Sequence, residues 1–520
     1  MQISKLPLAQ TKQFPSLLLK YLQKDPQLKD FYNFFPDLKD FENQIEENKV
    51  KYNNNCRKAL HEVLTQQYSN LEKKLSIQID SLLDENTFTV TTGHQLNIFS
   101  GPLYVIYKLV TVINLAKKLK KNFPQYNFVP VYWMATEDHD FAEINHFNLF
   151  GKKYIWETEQ KGAVGEMNTS EMKEIFSQIT EKLPLFENAY LKNETLADAT
   201  RCWANDLFGD EGLLCLDANN SKLKSFLKPL IEDDIFKNAT IKLVNDESEK
   251  LSQAGFQAQV NGREVNFFYL DKNIRERIIK TESGYEIINT DLKFTEIELK
   301  NLIDISPEKF SPNVILRPVY QQIILPNLAY IGGPSEIAYW FQLKTLFQYH
   351  QTNFPILMPR NFALYINKVN NKKLEKLGIT IEDLFLDDNQ LKNLFIERNA
   401  ENPIDINEEK EILEKLFDLL LKKSLIVDAS LEGFVKAERQ KVYTSLETIE
   451  KRFKKAEEQK LSTQITQLTG LKAKLFPDGG LQERSDNFLN FYLNNPEFLN
   501  YLLENLDPLD FNFNVIIENE

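Results

Sequence analysis

The chain is poor in the residues that usually announce chemistry. Its 520 residues include five histidines and three cysteines. Cys56, Cys202 and Cys215 stand far apart with no CxxC spacing, so neither a disulfide framework nor a thiolate metal knuckle is expected. They read as reduced thiols of a cytosolic protein, small buried hydrophobes rather than nucleophiles. Long hydrophobic runs are missing as well; nothing approaches the roughly eighteen apolar residues a membrane span needs. The opening "MQISKLPLAQTKQF" has no apolar centre, so a secretory signal is not expected. Positive charge is not in excess either. A formal net charge of −13 argues against a general nucleic-acid binder.

What is present is the composition of a soluble globular protein, 42% hydrophobic and 26% charged. The length allows about two to four domains. Residues 1–85 read as an N-terminal helical segment packed on the core, punctuated by Pro15, Pro26 and Pro36. "NTFTVTTGHQ" is then strand-like, and Ser100-Gly101-Pro102 leads into a helical pattern of Leu103, Ile106, Tyr107, Val110 and Ile113. Ser100 is expected to cap that helix and Pro102 to sit in its first turn. "NFVPVYWMATEDHD" is short, apolar on both faces and ended by charge, as a buried parallel strand is. Strand, helix and strand make a βαβ unit, so residues 86–150 form the first half of an α/β core.

Residues 151–310 change texture and read as an α+β insertion. Asn261-Gly262 suits a type I′ hairpin turn, and Ser283-Gly284 repeats the pattern. The α/β pattern returns over 311–374, so the two halves are predicted to share one sheet. From 375 to 474 the chain is helical. Val442, Leu446, Ile449, Phe453 and Ala456 step 4, 3, 4, 3, a coiled-coil seam. An unbroken helix from Leu431 to Leu471 would be roughly 60 Å long. Its expected partners are Ile412, Leu416 and Leu420, or a second chain. Residues 475–520 return to the body.

Three of the five histidines lie in "TTGHQLNIFSGP" and "ATEDHDFAEINH", where strands end. Ligands of open α/β sheets bind beyond those ends. Gly93 permits close backbone approach, and His94 could meet a phosphate or merely satisfy a loop carbonyl. Glu137, Asp138, His139 and Asp140, followed by Glu143 and His146, repel one another and need solvent, a cation or a polar substrate. Metal binding, acid–base work, an ammonium site or a solvated helix cap all use such a cluster. "AYIGGPSEIAYW" is a third strand-to-helix corner, where Gly332-Gly333 turns and Glu336 points back to the sheet edge. Arg317 and Arg360 could clamp a carboxylate or phosphate, or pair with surplus acids.

Four stretches, "TTGHQLNIFSGPLYVIYK", "PVYWMATEDHDFAEINH", "LRPVYQQIILPNLAYIGGPSEIAYW" and "LFPDGGLQER", resemble the cysteine-adding family of bacillithiol biosynthesis, the BshC family. The resemblance runs in order along the chain. It implies a Rossmann-like core similar to class I aminoacyl-tRNA synthetases, an inserted α+β region and a C-terminal α-helical coiled coil. It also implies a ligase forming an amide bond between L-cysteine and glucosaminyl-malate, with ATP as co-substrate. Thr92-Gly93-His94 matches half of the synthetase His-x-Gly-His loop; Lys368, Lys372 and Lys373 follow "FALYI" without a Lys-Met-Ser-Lys-Ser pattern.

On this resemblance the expected catalytic residues are His94, Asp138, His139, Asp140 and His146. Gln95, Glu137, Asn145, Arg317 and Glu336 would contact substrate; Thr92, Gly93, His94, Gly332 and Gly333 would hold the nucleotide. No metal cluster, nucleic acid or membrane partner is expected, and a homodimer through the coil is. The alternatives are a metal-dependent hydrolase or transferase using residues 137–146, and a non-catalytic coiled-coil scaffold.

Overall fold

A computed structural model describes residues 1–402 and 404–518. Two compact units emerge from it. The larger comprises residues 5–363 and 482–514; the smaller comprises residues 1–4, 364–481 and the end of the chain from 515. No helix among the described residues is long and apolar enough to cross a membrane.

The larger unit is built on a five-stranded parallel sheet. Its strands are β1 (Thr87–His94), β2 (Asn127–Met134), β3 (Leu214–Asp217), β4 (Asn327–Gly332) and β5 (Ile356–Pro359). Their order is β5-β4-β1-β2-β3, parallel throughout. The chain therefore works outward from β1 in one direction, then returns and works outward in the other. The order reverses between β1 and β4. At such a point the connecting helices leave on opposite faces and a crevice opens at the strand ends.

β1 and β2 are buried on both faces, as their apolar and β-branched residues require. The threonines of β1 are tolerated because their hydroxyls are satisfied. Thr89 and Thr91 donate to Asn327 Oδ1 (3.3 and 2.8 Å), and Thr92 donates to the Ile331 carbonyl (2.8 Å). Helix α1 (Tyr104–Asn122) follows β1 and is enclosed on nearly every side from Val105 to Ala116. It starts later than the sequence predicts, and Ser100 does not cap it. Phe99, Ser100 and Gly101 instead take φ of 51°, 65° and 63° in succession. A Cβ on Gly101 would fall 2.5 Å from Asn97 Cβ, so this corner demands glycine. Asn487 straps the corner, donating to the carbonyls of Phe99 and Gly101, both at 2.7 Å.

Residues 151–310 do not stay outside the core sheet. Leu214–Asp217 lies along β2, pairing Val131 with Leu214 and Met134 with Asp217. Four residues are too few to reveal a strand by periodicity. A second, antiparallel sheet takes Phe267–Asp271, Ile274–Thr281, Gly284–Ile287, Lys293–Phe294 and Phe310–Pro312. The hairpin expected at Asn261-Gly262 does not form. Gln259 and Val260 N–H groups donate to Gln342 Oε1 (2.7 and 3.1 Å), and Gln342 Nε2 donates back to the Val260 carbonyl (2.7 Å). A side chain thus takes the place of a partner strand. The actual hairpin turns at Lys272-Asn273, with Asn273 at φ 60°; the turn expected at Ser283-Gly284 forms one residue earlier, at Glu282-Ser283, and Gly284 opens the next strand. Near the N-terminus, Gln2–Pro7 is a strand where only helices were expected.

In the smaller unit, α3 (Asn407–Val427) and α4 (Leu431–Lys460) form an antiparallel hairpin, and α5 (Ser462–Leu475) follows after Leu461. The expected unbroken helix is thus two, of 30 and 14 residues. The seam also runs out of phase with the prediction. Phe417 is 7% exposed, whereas Ile412, Leu416 and Leu420 are 66%, 50% and 40% exposed. Polar groups close the hairpin: Lys410 meets Glu450 at 2.7 Å, Arg439 meets Glu414 at 3.0 Å, and Tyr443 donates to Glu414. Those pairs occupy the facing rows, and the apolar rows lie outward.

One buried ion pair fixes the end of β5. Arg360 donates to Glu483 Oε1 at 2.6 Å, and Ala363 N–H donates to Glu483 Oε2 at 3.1 Å. Both side chains are closed to water. Removing one partner strands the other charge, so Glu483→Ala is expected to destabilise the larger unit by about 3–5 kcal/mol. Urea unfolding followed by tryptophan fluorescence will measure it.

Candidate active site

The crevice at the sheet reversal is a cleft of about 960 Å³. Three strand ends supply its floor. Gly93, His94 and Gln95 come from β1; Glu137, Asp138, His139 and Asp140 follow β2; Gly333 and Glu336 follow β4. Glu143, Arg317 and Arg360 also line it. Thr92, Asn145, His146 and Gly332, expected at the site, do not. Thr92 spends its hydroxyl across the sheet. His146 begins a two-stranded ribbon and places Nδ1 3.1 Å from Asn145 Oδ1, so both are removed from the proposed machinery.

Helix α2 (Pro334–Trp340) starts at the β4 corner. Glu336 accepts from the Gly333 N–H (2.8 Å) and from Tyr330 Oη (2.6 Å). It also meets Lys108 of α1 at 2.5 Å, and Lys108 donates to the Gly93 carbonyl at 3.1 Å. Burial raises the pKa of Glu336, but Lys108, Tyr330 and the Gly333 N–H together outweigh it and keep the carboxylate ionised. Gly93 has little room: a Cβ there would lie 3.3 Å from Tyr330 Oη and 3.4 Å from Arg317 Nη1.

The acidic stretch is less free than its sequence indicates. Glu137 pairs with Lys224, whose side chain is fully buried. Burial favours the neutral form of Asp138, yet a 2.8 Å hydrogen bond from Gln95 and the Arg275 charge hold its pKa below the usual value. His139 Nδ1 lies 2.6 Å from Arg275 Nη1. The carboxylates of Asp140 and Glu143 have no hydrogen-bonding partner among the described residues. Arg263 and Arg484, also in the lining, are likewise unpartnered.

Lys224, Arg263, Arg275 and Arg484 carried no sequence signal beyond charge, because each comes from a segment remote from the strand ends: three line the cleft, and Lys224 holds Glu137 from behind it. Lys108 closes the noticed stretch "TTGHQLNIFSGPLYVIYK" and Arg484 lies in "LFPDGGLQER", yet neither was singled out there.

Family models match both parts of the chain. The bacillithiol biosynthesis BshC N-terminal Rossmann-like domain matches residues 1–361. The BshC C-terminal coiled-coil domain matches residues 363–518. The chain belongs to the BshC family. Two similar relatives carry the description "Putative cysteine ligase BshC". The one from Flavobacterium psychrophilum is 45% identical over 517 residues, and the one from Flavobacterium johnsoniae 44% over 516; both alignments cover 97% of each chain. A solved chain from Campylobacter jejuni, described as a "putative arginyl t-RNA synthetase", aligns over 86% of this chain and 94% of its own at 12% identity. Its TM-score is 0.18, at which the likeness carries no argument.

His94 is held neutral. Burial and the neighbouring Lys108 push its pKa down to about 3, and its buried Nε2 makes no hydrogen bond among the described residues. A neutral imidazole brings a dipole rather than a charge to a phosphate, which narrows the role expected for it. In the unfolded chain the same group titrates near its ordinary value. The stabilising preference for the neutral form is therefore fully present above about pH 6.5, and is lost as pH falls from there toward about 3. His94→Gln should lose less stability than the wild type between pH 7 and pH 5, by at most about 1.4 kcal/mol per pH unit below 6.5. Denaturant titrations at the two pH values will measure the difference.

Proposed function

We propose that this protein is a cysteine ligase, joining the carboxyl group of L-cysteine to the amino group of glucosaminyl-malate. Family membership supports the reaction class, and the cleft at the sheet reversal carries the reading. It offers free carboxylates and free guanidinium groups within one crevice. Asp140 and Glu143 suit the ammonium groups of the substrates, while Arg263 and Arg484 suit carboxylates and phosphates. ATP, when bound, activates the cysteine carboxyl group for attack. Its phosphates fit Arg263 and Arg484, because neither spends its guanidinium on a protein partner. Glu336 and Lys108 neutralise each other and serve as framework. A ligase using free cysteine belongs in the cytoplasm.

A metal-dependent hydrolase is not favoured, because Glu137 and Asp138 are engaged by Lys224, Gln95 and Arg275. No three His, Cys, Asp or Glu side chains among the described residues are placed to hold one ion. Purified protein given L-cysteine and glucosaminyl-malate should form the amide only when ATP is added, as read by mass spectrometry. Product formed equally without ATP would remove the activation step.

The coil supports a homodimer. Val442, Ile449 and Phe453 on one helix are 37%, 43% and 48% exposed, in addition to the outward row on α3. A two-fold mate is the commonest way to cover such rows. Light scattering should give a dimer for the wild type and a monomer for Phe453→Glu. A wild-type monomer at micromolar concentration would leave the coil as an intramolecular arm.

A further inference from the structure

Arg275 lies on the second strand of the antiparallel sheet and reaches the loop after β2. Its Nε donates to Ser311 Oγ at 3.1 Å, its Nη2 to the Pro312 carbonyl at 3.5 Å, and its guanidinium lies 4.1 Å from the Phe268 ring centroid. The side chain is 8% exposed. A group held at so many points has one direction left, and there Nη1 meets His139 Nδ1 at 2.6 Å.

That contact decides where the imidazole proton sits. Arginine stays protonated and has no acceptor atom, so at this distance His139 Nδ1 must be the acceptor. A neutral imidazole whose Nδ1 accepts carries its hydrogen on Nε2. Asp138 Oδ1 lies 3.7 Å from the same nitrogen, too far to compete as a hydrogen-bond partner. Burial and the Arg275 charge both disfavour the imidazolium, against Asp138, Glu276 and Asp140, which favour it. The ring is half-exposed on the cleft, and Nε2 has no partner among the described residues.

Taking the cleft as the ligase site proposed above, we propose that His139 is a fixed Nε2–H donor to an anionic oxygen of the bound substrate, and that Arg275 is the positioning residue that sets this tautomer. His139 is then not the proton acceptor of the reaction, since its basic nitrogen is occupied. The proton lost by the attacking amine falls to one of the unpartnered carboxylates, Asp140 or Glu143, and the adduct collapses by breaking the acyl C–O bond to the phosphate-bearing group that ATP supplied, which leaves with the bonding pair. The reacting oxygen gains charge as the amine adds to the acyl carbon, so a donor already aimed at it stabilises the transition state more than the ground state.

Two measurements test this. Long-range proton–nitrogen NMR on the imidazoles, assigned by loss of the His139→Gln signal, reports the tautomer without any substrate. The wild type should show the hydrogen on Nε2, and Arg275→Gln should lose that preference while the His139 pKa rises. Arg275→Met, which removes the donor and the charge while keeping the bulk, serves with the same expectation if Arg275→Gln does not fold. A wild-type ring protonated at Nδ1 overturns the inference, whatever the reaction proves to be. The second measurement is the rate of amide formation. A carboxamide can replace a donor but not a base, so His139→Gln should stay within about tenfold of wild-type kcat while His139→Ala falls by about 10²–10³. Equal loss in both variants overturns the donor role. A wild type that forms no amide would refute the ligase reading and the donor role together, leaving the tautomer lock to be judged by NMR.

Discussion

Lys108 and Glu336 follow strands on opposite sides of the sheet reversal, yet they meet at 2.5 Å where water is largely shut out. Burying two charges is costly, and their attraction compensates only when the remaining donors and acceptors are also satisfied. Here they are: the Gly93 carbonyl takes one ammonium hydrogen, while Tyr330 and the Gly333 N–H complete the carboxylate. The pair fastens the β1 corner to the β4 corner and sets the width of the crevice between them. The neutral state of His94 follows from the same arrangement, because Lys108 stands beside it.

The cleft is a set of charges sorted by whether they are already spent. Lys224 and Arg275 reach the acidic loop from outside it and hold Glu137, Asp138 and His139 in fixed places. Their neighbours Asp140 and Glu143 remain free. Reading the stretch as one cluster of equivalent acids therefore misjudges it. The fixed residues give the loop its shape, and the free ones can answer a substrate.

Much of this architecture was legible in the sequence. β1 and β2 are buried on both faces, so their apolar runs and abrupt polar endings were visible in one dimension. Most residues of the three strand-to-helix corners do line one cleft. Other features were hidden for identifiable reasons. Leu214–Asp217 is too short to show a period. Asn261-Gly262 has the composition of a hairpin turn, but Gln342, some eighty residues away, claims the backbone beside it. The coil's apolar residues are visible in the sequence, but the rows facing each other carry Lys410–Glu450 and Arg439–Glu414, a pairing between helices that local spacing does not reveal. His146 stood one turn beyond the acidic loop in sequence, but the chain had already entered a ribbon.

The three cysteines have a bearing on the chemistry that surrounds them. Each is buried; burial pushes the thiols of Cys56 and Cys215 up to about 12 and raises that of Cys202. Thiol–disulfide exchange requires a thiolate with access to the opposing sulfur, and these side chains supply neither. A protein that handles a free aminothiol and releases a larger one is constantly exposed to their oxidised dimers. With no reactive sulfur of its own, this chain resists forming mixed disulfides with its own substrate and product, and the redox state of the thiol pool does not become a state of the enzyme.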